Sequence, residues 1–429
     1  MERVKLSRNY ERSQPLTAGG LDAGRIVVLR AAALFDGVSP ALMARPSVLI
    51  ADGVIAAVHG PAGPLPPGAR VMDLPGLTLL PGLVDTHLHL CFDASDDPVG
   101  HLAEAGDDVL RERMAEAARR ALRAGVTTVR DLGDRGYLAL DLRDRHRAGM
   151  AGSLPAIVAA GPPITTPGGH CHFLGGAARG EGALRAAVRE RAERGVDVIK
   201  VMASGGNMTP GSLAHEPQFS AGALRAIVDE AHHHGLPVVA HAHSARSIAD
   251  AVAAGVDGIE HATFMTAEGV EAPEAVIRAI ASQRIAVGWT VGIDPAQAGL
   301  VPPQIASRMA GLGAARRRLH ECGAVIVPGS DAGATPAKPH DVLRFAPEDL
   351  AAAGLSAAEI LCAMTSSAAQ ACGLGHRKGR IAPGFDADIL AIEGSPLDDP
   401  AAIRRLRAVY ATGRAVLPAL GSQAGVEVA

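Results

Sequence analysis

Aromatic residues, excess charge of one sign and long apolar runs are all scarce in this chain of 429 residues. Aromatic side chains make up 3% of it and include one tryptophan, so little stacking surface exists for bases or glycans. The 41 basic and 45 acidic residues leave a net charge of −4, which is too near neutrality for a surface dedicated to phosphate. The sequence contains no run of about 18 apolar residues, so no membrane span is predicted. We therefore expect neither a nucleic acid nor a membrane as a partner.

Cysteine is also sparse, and its distribution argues against a disulfide framework. The five cysteines are an odd number, are widely spread and form no C-x-x-C motif. A reducing compartment fits this usage best. Residues 1–20 are polar and charged, without the apolar core of a signal peptide. We predict a cytoplasmic protein whose residues 1–24, which show no periodicity, form a flexible extension.

Short β-branched runs alternate with longer stretches of helical period from about residue 80 onward. Eight of these runs are predicted strands, at residues 82–87, 127–131, 156–160, 196–202, 237–241, 258–261, 285–290 and 325–329. Helical candidates lie between them, at residues 107–123, 182–194, 221–234, 247–254, 273–283 and 303–322, and two more follow at 339–353 and 357–373. Eight strand units with helical crossovers predict an α/β fold of the (β/α)8 TIM-barrel type over residues 81–379.

Both ends of the chain have the pattern of a small β domain. Apolar runs at residues 25–34, 48–58 and 69–80 are separated by turn residues, with a hairpin turn indicated at 51–53. The tail returns to strand-like pieces at 387–393 and 407–416. We predict that residues 25–80 and 380–420 together form a small β-sandwich domain.

Histidine is abundant, with 17 in the chain, and several polar side chains fall where the predicted barrel strands end. Catalytic groups in such barrels lie at the carboxyl ends of the strands. The residues at these ends are His87, His89, Lys200, His241, His261 and Asp331. Two imidazoles at i and i+2 of an extended segment share a face, so His87 and His89 can reach one metal ion. Each histidine alone is better explained as a satisfied polar side chain, but six polar residues at equivalent strand ends favour one site.

Lys200 is the unusual member of this set. Its alternative role is that of a partner in a buried ion pair. An ammonium group has no lone pair to offer a metal. Lys200 can therefore serve as a ligand only after its amine reacts with carbon dioxide to give a carbamate, an anionic group that can bridge two cations.

The sequence resembles the amidohydrolase superfamily over about residues 25 to 415. The motifs that carry the resemblance are PGLVDTHLH at 81–89, GVTTVRD at 125–131, the Ile199-Lys200 strand, AHAH at 240–243, GIEH at 258–261, GSDAG at 329–333 and GRIAPGFDADIL at 379–390. Ser204-Gly205-Gly206 and Gln218-Phe219-Ser220 are similar to the prolidase-like and imidazolonepropionase-like branch. That branch includes peptidases acting on dipeptides and N-acyl amino acids, and relatives that hydrolyse amide-linked toxins or pesticides.

The resemblance implies a site with two divalent metal ions. It places one metal on His87, His89 and Asp331 and the second on His241 and His261, with carboxylated Lys200 bridging both. Zinc suits such ligands, although manganese or another first-row ion is left open. Two such ions bring a shared water toward hydroxide at neutral pH and polarise the scissile carbonyl. Asp331 is then the predicted general base, which passes the proton of the water to the leaving nitrogen.

Two further histidines are candidate substrate contacts. His170 lies in a Gly-Gly-His segment after the third strand, where an ordinary loop histidine is the alternative. His243 lies two residues beyond His241 and would replace it if that assignment failed. Arg130 and Asp131 are interpreted as a structural ion pair, and residues 232–234 and 316–318 as solvated surface.

We therefore predict a binuclear amidohydrolase that uses metal-bound hydroxide to cleave the amide or peptide C–N bond of a dipeptide or N-acyl amino acid. One alternative is hydrolysis of a cyclic amide or of a xenobiotic amide, carbamate or urea. Another, from a different class, is a metal-free scaffold without catalysis, which the complete ligand set disfavours. Because relatives commonly assemble, a homo-oligomer is also an expectation.

Overall fold

A computed structural model describes residues 26–61, 63–300 and 307–417 of the chain, without the side chains of residues 298–300. Strands β1 to β5 are Val27–Leu34, Met43–Ala44, Ser47–Ala51, Val54–His59 and Arg70–Pro81. Strands β6 to β13 are Leu83–Leu88, Val126–Asp131, Ala156–Ala159, Ile199–Met202, Val238–Ser244, Gly258–Met265, Ala286–Thr290 and Val325–Gly329. Strands β14 to β16 are Ile389–Glu393, Leu406–Ala411 and Arg414–Leu417. The extension predicted for residues 1–24 lies outside the described residues.

The α-helices of the described residues alternate with the middle strands. They are Pro98–Glu104, Asp107–Arg123, Leu138–Arg147, Glu181–Arg194, Ala221–His233, Ala245–Ala254, Glu274–Gln283, Met309–Glu321, Ala346–Ala352, Ala357–Met364 and Ser366–Ala371. The helix at Leu138–Arg147 is absent from the sequence-based prediction. The predicted helix at 357–373 is interrupted at Thr365, whose hydroxyl donates to the Leu361 carbonyl at 2.6 Å. None of the helices in the described ranges combines the length and apolarity needed to cross a bilayer.

Strands β6 to β13 pair in parallel and in chain order, as predicted. They form a three-stranded sheet, β6-β7-β8, and a five-stranded sheet, β9-β10-β11-β12-β13. Isolated parallel bridges join the two sheets on both sides, between Leu88 and Ala332 and between Ile164 and Val201. The Met202 amide donates to the Ile164 carbonyl at 2.8 Å on the second side. The α/β class is confirmed, and the arrangement is TIM-barrel-like.

The terminal strands form one eight-stranded sheet drawn from both ends of the chain. Its order is β16-β15-β14-β5-β1-β3-β4, with β2 paired to β1. The two ends meet where β14 runs antiparallel to β5, with Ile389 opposite Pro81. Hydrogen bonding thus joins these strands in a single sheet, and the two-sheet sandwich stays a prediction. The strand expected at 407–416 is a hairpin, since Thr412 and Gly413 turn the chain with positive φ angles of 47° and 76°.

The main core lies between the parallel strands and the helices that cover them. The helix Asp107–Arg123 shows why these segments fold as they do, because its apolar side chains recur at helical spacing. Its buried residues are Leu110, Met114, Ala115, Ala118, Ala121 and Leu122. Burying each large side chain of this kind contributes about 1.5–3 kcal/mol. The packed helices leave the carboxyl ends of the strands free to carry polar residues.

Candidate metal centre

His87, His89 and Asp331 form one cluster of potential ligands, which we call the aspartate group. Their ligand atoms all lie within 4.8 Å of one another. Asp331 Oδ1 is 3.7 Å from His87 Nε2 and 3.6 Å from His89 Nε2. The three residues come from the end of β6 and the segment after β13, as the sequence predicts. Two imidazoles and a carboxylate at this spacing form a suitable set for one divalent ion.

The aspartate group presents the Nε2 atoms of its histidines toward the shared space. His87 Nδ1 lies 2.9 Å from Glu260 Oε2, and His89 Nδ1 lies 3.0 Å from the Gly133 carbonyl. Because both neighbours can only accept, Nδ1 carries the proton in each ring and Nε2 keeps its lone pair. Burial, helped by the charge of Lys200, lowers the pKa of His87 to about 4. At neutral pH His87 is therefore an uncharged ligand.

A second cluster, which we call the imidazole group, consists of His241, His243 and His261. Their ligand atoms also lie within 4.8 Å of one another. The ring centroids of His241 and His261 are 4.5 Å apart, and the rings of His243 and His261 stack at 4.3 Å with an angle of 21°. The expected pair, His241 and His261, is thus together. His243, predicted as a substrate contact, lies within the same cluster.

Burial keeps the imidazole group neutral, and hydrogen bonds orient two of its rings. His243 Nδ1 lies 2.9 Å from Thr263 Oγ1, and His261 Nδ1 lies 3.1 Å from Thr290 Oγ1. Burial lowers the pKa of His243 to about 4 and holds those of His241 and His261 well below the ordinary value. Three uncharged rings at one place suit a cation that binds nitrogen ligands.

Lys200 is buried and its amine has no hydrogen-bond partner among the described residues. Lys200 is the second residue of β9, and it is 1% exposed. The alternative of a buried ion pair is not found, because no described carboxylate lies within the 4.0 Å of a salt bridge to its Nζ. Burial lowers the pKa of Lys200 to about 8. A buried, unpartnered amine that readily loses its proton fits the chemistry of carbamate formation.

Asp331 combines a charged carboxylate with access to solvent. Burial alone would raise its pKa, but His87, His89 and Lys338 together hold the pKa of Asp331 below its usual value. Its side chain is 25% exposed, against 1% for that of His87. Asp331 also adopts a φ of +57°, and His261 one of +67°. Such left-handed conformations cost about 1–3 kcal/mol in non-glycine residues and concentrate at functional sites.

His170 also reaches this region, as the sequence predicts for a residue near the substrate. Its ring centroid is 4.7 Å from that of His241, and its Nδ1 has no partner among the residues described. The loop is held by the His170 amide, which donates to Gln218 Oε1 at 2.6 Å. Burial lowers the pKa of His170 to about 3. A Cβ at Gly206 would lie 2.5 Å from the His170 ring, so glycine is required beside it.

The predicted ion pair of Arg130 with Asp131 is wrong. Arg130 Nη2 donates to Glu260 Oε1 at 2.9 Å, whereas Asp131 accepts from the amides of Leu90 and Gly133 at 2.8 and 3.0 Å. Successive residues of a strand face opposite sides, which separates Arg130 from Asp131. Glu260 is therefore a residue of the site that sequence reasoning missed. Its signal was the GIEH motif, in which only the histidine was assigned a role.

Of the residues predicted to be solvated surface, some lie at the surface and one is largely buried. Arg318 lies at the surface, where it pairs with Glu274. Arg316 does not belong to a solvated face, because its guanidinium lies 5.5 Å from the centroid of the buried Trp289 ring and burial lowers its pKa. His232 is on the surface as predicted and lies 2.8 Å from Asp257.

Neutral imidazoles, a charged carboxylate and a buried lysine at the carboxyl ends of parallel strands are the arrangement of barrel hydrolases that use divalent metals. The chain belongs to the amidohydrolase family, whose sequence pattern it matches over residues 78–416. It is a hydrolase acting on carbon–nitrogen bonds. The superfamily indicated by the motifs is thus confirmed. Members of this family generally bind divalent metals, and both ligand groups fit that property.

Three comparisons illustrate the relationship. Ochratoxinase of Aspergillus niger is 28% identical over an alignment 449 positions long, gaps included, which covers 94% of this chain and 88% of the relative. The crystal structure of a Xaa-Pro dipeptidase with bound methionine in its active site superposes with a TM-score of 0.80 at 26% identity, covering 91% of this chain and 100% of that chain. Phenylurea hydrolase B gives a TM-score of 0.80 at 25% identity, covering 91% and 96%.

Proposed function

We propose that this chain is a binuclear metal-dependent amidohydrolase that cleaves the amide or peptide bond of a dipeptide or N-acyl amino acid. The observation that carries the proposal is the unpartnered amine of Lys200. Burial is the main cause that lowers the pKa of His87 in the aspartate group and of His241 in the imidazole group, and the charge of Lys200 contributes to both, so Lys200 lies within electrostatic reach of both. As a carbamate, Lys200 would join the two groups.

The residues that would hold the metals are those predicted from the sequence. His87, His89 and Asp331 would hold one ion, and His241 and His261 the other, with the Lys200 carbamate shared. Bound there, two divalent ions would activate a water and polarise the scissile carbonyl. Zinc is the ion we propose, because imidazole nitrogens dominate the ligand set.

Asp331 is proposed to move the proton. Its carboxylate is charged at neutral pH and is the more exposed side chain of the Asp331–His87 pair. It would accept a proton from the attacking water as the water oxygen bonds to the carbonyl carbon. It would return that proton to the amine nitrogen as the C–N bond breaks, so the products are a carboxylic acid and an amine.

Substrate binding is assigned to His170 and His243. Both rings are neutral, and the buried Nδ1 of His170 lacks a partner, which a substrate carbonyl or carboxylate would supply. The likeness to a Xaa-Pro dipeptidase supports a dipeptide or N-acyl amino acid as substrate. The likeness to phenylurea hydrolase B supports the second candidate, a xenobiotic amide, carbamate or urea.

The domain organisation, cellular compartment and oligomeric state of this enzyme are also proposals. The bridges on both sides of the parallel sheets favour a closed (β/α)8 barrel over residues 81–379, joined to a β domain from residues 25–80 and 380–420. The five free cysteines favour the cytoplasm. A homo-oligomer is proposed because relatives commonly assemble.

Metal analysis combined with a substrate screen tests the proposed function. Purified protein should contain two divalent ions per chain after loading with zinc, by mass spectrometry of its metal content. The loaded enzyme is then offered dipeptides, N-acyl amino acids, aryl amides, carbamates and phenylureas. Hydrolysis of the first two classes is expected. Metal content well below one ion per chain, with no hydrolysis after zinc or manganese is added, would contradict the proposal.

A further inference from the structure

Glu260 connects a proposed metal ligand to a buried arginine. Its Oε2 lies 2.9 Å from His87 Nδ1, and its Oε1 accepts from Arg130 Nη2 at 2.9 Å. Glu260 is 1% exposed and Arg130 is 3% exposed. Both carboxylate oxygens are therefore engaged, one by each neighbour, and the carboxylate is held away from the shared space of the aspartate group.

Arg130 fixes this carboxylate to the backbone that carries His87. Its Nε donates to the Thr86 carbonyl at 2.6 Å, and its Nη1 donates to the Ala371 carbonyl at 3.1 Å. Thr86 directly precedes His87 in β6. The guanidinium thus holds the chain at the base of the His87 side chain, while Glu260 holds the Nδ1 edge of the imidazole ring.

Gly288 in the neighbouring strand β12 leaves room for the Glu260 carboxylate beside His87. Residue 288, in β12, is opposite Glu260 in the pairing of β11 with β12. A Cβ at Gly288 would lie 2.1 Å from Glu260 Oε2, the oxygen that faces His87. Any side chain at this position would push the carboxylate away from the imidazole.

We propose that Glu260 is the positioning residue of the metal centre, which fixes the tautomer and the direction of the His87 ring. By accepting the Nδ1 proton it leaves the Nε2 lone pair on the side of Asp331, whose Oδ1 is 3.7 Å away. Arg130 supplies a positive charge beside the buried carboxylate, because its Nη2 donates to Glu260 Oε1. The inference rests on the proposed function, since it concerns the affinity of the site for a divalent ion. Glu260 acts through His87 and does not contact the substrate.

Loss of such a partner weakens metal binding by about 10- to 100-fold in other proteins, because the ligand is less basic and less well oriented. Glu260→Gln removes the charge while keeping the size of the side chain. Gly288→Ala leaves Glu260, His87 and Arg130 in place as residues but displaces the carboxylate. The two variants disrupt the same hydrogen bond, between His87 Nδ1 and Glu260 Oε2, in different ways. A folding defect in one variant therefore leaves the other to test the inference.

The experiment measures zinc affinity of the full chain by competition with a chelating indicator. We expect dissociation constants raised about 10- to 100-fold in both variants relative to wild type. Glu274→Gln is the matched control, because it removes a carboxylate from an exposed ion pair with Arg318 and should leave zinc affinity unchanged. Nitrogen NMR of the metal-free wild type should show His87 with its proton on Nδ1, and thermal unfolding of metal-free samples reports any loss of the fold.

Two results would overturn the inference. One is zinc affinity in Glu260→Gln and Gly288→Ala equal to that of the Glu274→Gln control. The other is a wild-type His87 ring that carries its proton on Nε2 or mixes the two tautomers. A wild type that binds no divalent ion contradicts the proposed function instead, and the NMR measurement still tests the role of Glu260 in that case.

Discussion

The backbones of His87 and Asp331 are joined by a hydrogen bond, and their side chains face each other. The Asp331 amide donates to the His87 carbonyl at 2.7 Å, and Asp331 Oδ1 lies 3.7 Å from His87 Nε2. A Cβ at Gly329 would lie 2.4 Å from His87 Cβ, so glycine permits this approach of the first and last parallel strands. The side on which these strands meet is therefore also where the aspartate group is assembled.

Asp331→Asn should abolish turnover while leaving most of the metal bound. The amide oxygen can still coordinate a cation, but it cannot accept the proton of the attacking water. General acid–base groups contribute about 10²- to 10⁴-fold, so kcat should fall by that factor. Steady-state kinetics and metal analysis of the same samples check this. Asp341→Asn, which alters an ion-paired aspartate outside both ligand groups, is the control. A kcat within a few-fold of wild type would refute the role of Asp331.

Lys200→Ala should lose both metal and activity. Removing the amine takes away the only atom that can form the shared carbamate, so occupancy should fall below two ions per chain. Excess bicarbonate with a short-chain carboxylic acid should restore part of the activity. Lys378→Met serves as the control, because Lys378 is a buried lysine paired with Asp386 and Asp388. It should lower stability without lowering metal content. Unchanged turnover in Lys200→Ala would contradict the binuclear site.

Where residues lie was predictable from the sequence when their placement depends on local spacing. His87 in β6 and His89 directly after it share a face because they are two residues apart, and Lys200 lies in a strand whose apolar run is plain. The hydrogen bond between Arg130 and Glu260 was not predictable from the sequence. It joins β7 to β11 and depends on which interior side chains meet. Adjacency in sequence suggested Asp131 instead, although adjacent strand residues point apart.

The grouping of ligands shows the same limit. The sequence separates His241 from His243 by role, whereas the structure places both within reach of His261. Local pattern indicates that residues two apart share a face, but not that β11 bends after His261, where His261 and Ala262 have φ angles of 67° and 47°. The conformation of that segment determines which nitrogen atoms converge.

Carbamate formation on Lys200 should depend on pH with a midpoint set by the buried amine. Burial lowers the pKa of Lys200 from the ordinary 10.5 to about 8, and only the neutral amine attacks carbon dioxide. At constant dissolved carbon dioxide, the rate of uptake by the metal-free protein should rise about tenfold per pH unit below 8 and level off above it. Carbon-13 NMR with labelled carbon dioxide measures this rate. A rate that keeps rising to pH 10 would show that Lys200 titrates like an exposed lysine.

Gly206→Ala should impair substrate binding through His170 without removing metal. The new Cβ would lie 2.5 Å from the His170 ring, so the ring must move away from the site. His170→Asn should act in the same direction, because both changes remove the neutral imidazole from the substrate. We expect KM to rise about two- to tenfold in each variant, since a lost hydrogen bond to substrate costs about 0.5–1.5 kcal/mol. Metal content should stay at the wild-type value.

Gly222→Ala is the matched control, because a Cβ there meets nothing closer than 4.0 Å and KM should not change. If Gly206→Ala and Gly222→Ala have the same KM, His170 is an ordinary loop histidine and the substrate contact must be sought elsewhere.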